Sequence, residues 1–149
     1  MILPLQYNFQ VQLDPELRIM CFQWVGPVNR QLLRNGMRYC RDLVAEHKPF
    51  YVLVDFHGMP LIDIRDELWM SVHWFPWVSR RPLRAVAVIY SPEQLHNQMA
   101  VEAMLWVGRK LMHYQLQVFE TAISAYDWFT EGDTAAGQRL VAEWNAARP

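Results

Sequence analysis

FYVLVDF, residues 50–56, decides the fold. Successive side chains of an extended chain point to opposite faces, so Tyr51 through Val54 put apolar groups on both. A strand apolar on both faces needs cover on both, which is the condition of a sheet sandwiched between helices. Lys48-Pro49 stops whatever helix precedes it, because a proline disfavours helical backbone in the residue before it. His57-Gly58 ends the strand, and Asp63, Arg65, Asp66 and Glu67 head the segment that follows. Asp63 is placed as a helix N-cap, with Asp66 three positions on in the manner of a capping box. Ile64, Leu68, Val72 and Phe75 then read as one core-facing row of that helix.

Upstream, Tyr7, Phe9, Val11 and Leu13 alternate with polar residues at the two-residue period of a strand. Asp14-Pro15-Glu16 turns the chain, and RIMCFQWVG (residues 18–26) pairs back on it as a hairpin. Asn29 caps the next helix, which runs to about His47. Its core stripe holds Leu32, Gly36, Tyr39 and Leu43 in one row and Leu33, Met37, Cys40 and Val44 in the next. Arg30, Arg34, Arg38 and Arg41 occupy the opposite side.

Downstream, Pro76 and Pro82 bracket an irregular stretch before a second buried strand, LRAVAVIY (residues 83–90). Ser91, Pro92 and Gln94 supply the cap, first-turn and capping-box residues of a long helix reaching about Met112. A short strand follows with Tyr114, Leu116 and Val118 alternating, then a helix over TAISAYDWF, and a last helix carrying Leu140, Val141 and Trp144. Strands alternating with helices behind an initial hairpin predict an α/β fold: a small, mixed, mostly parallel sheet of about five strands flanked by helices.

The totals agree. A chain of 149 residues, 52% hydrophobic and 19% charged, fits one domain with a core of its own and is too apolar for disorder. A net charge of −1 gives no field to draw it onto nucleic acid or anionic lipid. The start lacks a basic segment followed by an apolar one, and no run approaches the ~20 apolar residues of a membrane span, so the expectation is cytoplasmic. Cys21 and Cys40 lie within apolar patterns, without metal or redox spacing, and read as small buried hydrophobes.

FQWVGPV (22–28), VLVDFHGM (52–59), RAVAVIYSPEQLH (84–96) and LQVFETAISAYDWF (116–129) together resemble the SpoIIAA-like branch of the STAS superfamily. The resemblance spans residues 5–131 and rests on the order and spacing of apolar blocks. It implies a STAS-like domain over 1–131, with 132–149 a helical extension of the same domain. It also implies a non-enzymatic regulatory protein that binds another protein, often as a homodimer. Lipid-carrying CRAL-TRIO domains are distantly similar in shape, so an alternative is a carrier of a small apolar ligand or lipid. Where STAS switches carry a phosphorylatable hydroxyl after the helix-heading Asp, this chain has Ile64 and Arg65 after Asp63. A phosphorylation switch has no acceptor at that point.

The candidate sites follow from placement. Ligands of open α/β sheets sit outside the carboxyl ends of parallel strands. That edge should gather Asp55, His57, Tyr90, Ser91 and Glu120, an acid–base pair and a helix start among them. The plainer reading makes Asp63 and Ser91 caps and Asp55 an acceptor for loop amides, since no glycine-flanked nucleophile elbow exists. Asp55, His57, Asp63 and Arg65 are therefore grouped as the loop equivalent to the STAS switch. The five histidines are scattered, and no phosphate-cradling glycine loop occurs, so no metal or cofactor is expected. The row Arg30, Arg34, Arg38 and Arg41 suits an anionic partner. HWFPWVSRRPLR (73–84) joins tryptophans to a basic flank, and Trp69, Trp74, Phe75, Trp77 and Trp106 are the candidate surface for a partner or an apolar ligand.

Overall fold

The computed structural model describes residues 1–57, 64–89, 99, 102, 106, 109 and 113–147. Strand β1 (Phe9–Asp14) pairs antiparallel with β2 (Ile19–Trp24), and β3 (Tyr51–Asp55), β4 (Ala85–Ile89) and β5 (Gln115–Phe119) add in parallel to give the order β1-β2-β3-β4-β5. Helix α1 (Arg30–His47) links β2 to β3, and α2 (Ile64–His73) and α3 (Phe75–Val78) link β3 to β4. Helices α4 (Ala122–Phe129) and α5 (Thr134–Ala147) follow β5. The fold is the α/β architecture that the strand and helix periods predict.

The two-residue alternation sorts the strands between two cores. Phe9, Val11, Leu13, Phe22, Trp24, Val52 and Val88 face α1 and α3, joined there by Leu33, Met37, Cys40, Val44 and Val78. Cys21, Leu53, Ala87 and Ile89 face the other way, onto Ala125, Tyr126 and Phe129 of α4 and Leu140 and Trp144 of α5. β3 feeds both cores, as a strand apolar on both faces must. Asn29 caps α1, its Oδ1 accepting from Leu32 N at 2.8 Å, while Lys48 closes the helix in the left-handed conformation and donates its N–H to Val44 O.

Two expectations need correction. The row Leu68–Val72 does not face the core: those side chains are 58% and 65% exposed. α2 instead turns Asp66 and Trp69 toward α1, which leaves Leu68, 100° round from Trp69, and Val72 on the outward flank. The alternation of β1 also fails at its start. Tyr7 and Asn8 are left-handed, with φ of 54° and 59°, so Tyr7 leaves the strand and meets Tyr39 edge-on at 6.2 Å. Asp63, Tyr90 and Ser91, with the caps predicted there, lie outside the described residues. Of the long helix predicted after Ser91, Met99, Glu102 and Trp106 are helical and exposed.

Candidate functional site

At the carboxyl edge of the parallel strands, two strand residues and one from the turn that follows form a linked array. Gln23 comes from β2, Asp55 ends β3, and His57 lies two residues beyond it. The Asp55 carboxylate accepts three bonds: its Oδ1 takes His57 Nδ1 at 2.6 Å and His57 N at 3.0 Å, and its Oδ2 takes Gln23 Nε2 at 3.1 Å. Gln23 is fixed in turn, since its Oε1 accepts from Trp144 Nε1 on α5 at 2.7 Å. The Asp55 contact puts a proton on His57 Nδ1, which makes Nε2 the basic nitrogen of the neutral ring. The expected acceptance of a loop amide by Asp55 is there, at His57 N, and the imidazole bond accompanies it.

The array borders a cleft of about 410 Å³, inside the usual range for small-molecule sites. Ala122 and Val141 provide half-buried apolar wall over the buried Leu53, Ile89, Tyr126 and Trp144, and Glu120, Thr121 and Asn145 add exposed polar groups. Thr121 is committed to capping α4, its Oγ1 accepting from Ser124 N at 3.4 Å. Beneath the cleft, Tyr126 donates its hydroxyl to Gln12 Oε1 at 2.7 Å, and Gln12 Nε2 donates to Leu140 O at 2.9 Å. Burial pushes the Tyr126 phenol well above its ordinary pKa of 10, with Cys21 and the charge of Asp55 adding to the rise.

On the opposite face of the sheet, the arginine row and the aromatic stretch meet in one seam. The buried Asp66 carboxylate accepts from Arg30 Nε at 3.1 Å and Arg34 Nε at 3.3 Å. The guanidinium groups of Arg34 and Arg38 sit 5.3 Å and 5.6 Å from the centre of the Trp69 ring. Arg41 and Arg81 approach the Trp77 ring to 4.9 Å and 4.3 Å. Trp74 stands edge-on to Trp77 at 6.2 Å and donates its Nε1–H to Met37 O at 3.3 Å. Trp69, Trp74 and Trp77 pack against the first core. The side chains read as a partner face on α1 and a ligand surface on α2–α3 are thus each other's partners, through cation–π and ion-pair contacts.

Trp106 is 64% exposed, with the Arg109 guanidinium 4.8 Å over its ring. Arg65 is exposed on the first turn of α2. The side chain of Phe75 lies outside what is described. Sequence reasoning missed Gln12, Gln23, Tyr126 and Trp144. Gln12 and Gln23 carried a signal, since a polar residue flanked by buried apolar ones within a strand must find partners indoors. No group of His, Cys, Asp and Glu among the described residues is arranged to hold a metal ion, and none of their helices is long and apolar enough to cross a membrane. No family model, curated protein or solved structure matches the chain.

Proposed function

We propose that the protein is a STAS-like recognition module of the cytoplasm that acts by binding another protein, self-associating as a homodimer, with no Ser/Thr phosphorylation switch. One observation carries this reading: the outward row Leu68–Val72 on α2, a helix whose neighbouring flank is held against α1 by Asp66 and Trp69. Two branched apolar side chains one turn apart, left in water on a helix that cannot roll to bury them, are what a docking surface offers. The mixed five-stranded sheet is in keeping with the STAS resemblance, and Ile64 and Arg65 supply no hydroxyl at the switch position.

The double variant Leu68→Asp/Val72→Asp tests it. Native mass at micromolar concentration should fall from two chains to one, with the far-UV circular dichroism of the fold retained and the thermal midpoint lower only by the lost association, no longer depending on protein concentration. A wild-type mass of one chain, or a double variant that keeps its dimer, would refute the assignment.

A further inference from the structure

The cleft at the carboxyl edge of the sheet has a charge pattern that selects among ligands. Its described lining contains two carboxylates, Asp55 and Glu120, two aromatic side chains, Tyr126 and Trp144, and neither lysine nor arginine. We propose that it binds a small organic cation, an amine or ammonium group carried on an apolar or aromatic body. The cationic end is drawn to Glu120 and to Asp55, and the body lies against the half-buried Ala122 and Val141. Anionic ligands such as phosphates and nucleotides meet two carboxylates there, with neither lysine nor arginine to offset them.

The recognition array is built in advance. Asp55 is gripped through both oxygens, by His57 on one and Gln23 on the other, and Gln23 is anchored through Trp144 to α5. A carboxylate held this way loses little freedom when a ligand arrives, so binding does not have to order it. Three elements converge on the array, β2, β3 and α5, which ties its geometry to the second core rather than to a surface loop. The cleft opens on the α4–α5 side of the sheet, while the Leu68–Val72 row belongs to a helix of the α1 side, so either assignment stands or falls without the other.

The test titrates the full chain with 2-phenylethylamine and with 3-phenylpropionate, an anion of like size and shape. The indole N–H resonance of Trp144 and the side-chain amide resonances of Gln23 are followed by NMR. The amine should shift these resonances in a saturable way, and the anion should not. Glu120→Gln, at an exposed position, should weaken amine binding about five- to tenfold and Glu120→Lys should abolish it, both with the wild-type thermal midpoint. Asn145→Phe, which fills the cleft from its rim, should also block the amine. The proposal is overturned if these resonances ignore the amine, if the anion binds as tightly, or if Glu120→Lys still binds.

Discussion

Replacing Gly36 by alanine should unfold this protein more readily, against the rule that alanine improves a helix interior. Gly36 is buried in α1, facing β1, and a Cβ built there falls inside the van der Waals envelope of Phe9 Cδ2 and Cε2 and 3.0 Å from its Cζ. Phe9 is fully buried and has no open side to retreat to, since the Trp24 ring lies 4.3 Å from it, centre to centre. Helix propensity favours the variant by about 1 kcal/mol. Overpacking a filled core costs about 1–3 kcal/mol, and a methyl group driven into an aromatic ring between two elements belongs at the top of that range. The net loss is about 2 kcal/mol, or a midpoint lower by about 6 °C at this chain length. Urea denaturation of wild type, Gly36→Ala, Phe9→Leu and the double variant measures it. Phe9→Leu shortens the obstructing side chain, so the double variant should recover at least about 1 kcal/mol relative to the sum of the singles. A Gly36→Ala protein as stable as wild type would mean that α1 does not ride on Phe9, and the reasoning about this helix would be wrong.

The remaining predictions concern the polar groups. Asp66→Ala should cost about 1–3 kcal/mol in urea denaturation, because it strips the shared acceptor from Arg30 and Arg34; an unchanged midpoint would mean that the tryptophan contacts hold the seam without it. Burial acts to raise the Asp14 carboxyl pKa, but bonds from Leu17 N at 2.9 Å and Arg139 Nη2 at 2.7 Å outweigh it, and the pKa lies below the ordinary carboxylate value. Its contribution to stability is therefore full above about pH 4 and lost as pH falls through the lowered folded value. Asp14→Asn should flatten that acid limb in a series of denaturation midpoints against pH, and a limb of undiminished slope would contradict the assignment. At the alkaline end, burial pushes the Tyr114 phenol up to about 12 and that of Tyr126 higher than its ordinary 10. Both contribute stability that is whole below the ordinary phenol range and lost as pH rises through the folded values. Phenolate absorbance should show these two of the six tyrosines titrating late, or only on unfolding, with Tyr39 also raised by burial, and Tyr126→Phe should remove one late-titrating group.

Period and punctuation made most of the fold legible. FYVLVDF announced a strand buried on both faces, and β3 lies between two parallel neighbours with a core above and below. Asn29 and Lys48-Pro49 marked the ends of α1, and Leu140 and Trp144 marked the buried side of α5. These signals are local: a side chain's position along its own strand or helix determines which way it points, and burial follows from apolar character. The α2 row shows where this fails. Leu68 and Val72 have the spacing of a core stripe, yet two ion pairs on one carboxylate and two cation–π contacts from a helix some thirty residues away in sequence set the rotation of α2.

The sequence by itself determined the order of the five strands and of helices α1, α2, α4 and α5, though not the short helix α3 in the stretch read as irregular, together with the two buried faces of the sheet and the gathering of Asp55 and His57 at the carboxyl edge, because each depends on a residue's neighbours in the chain. Only the tertiary structure decided that the arginines of α1 are answered by Asp66, Trp69 and Trp77, and that Gln23 and Trp144 lock Asp55 beside a cleft. A polar side chain takes whichever partner reaches it within about 3 Å. Trp144 reaches Gln23 across 121 positions of sequence. No pattern local to either residue encodes that meeting.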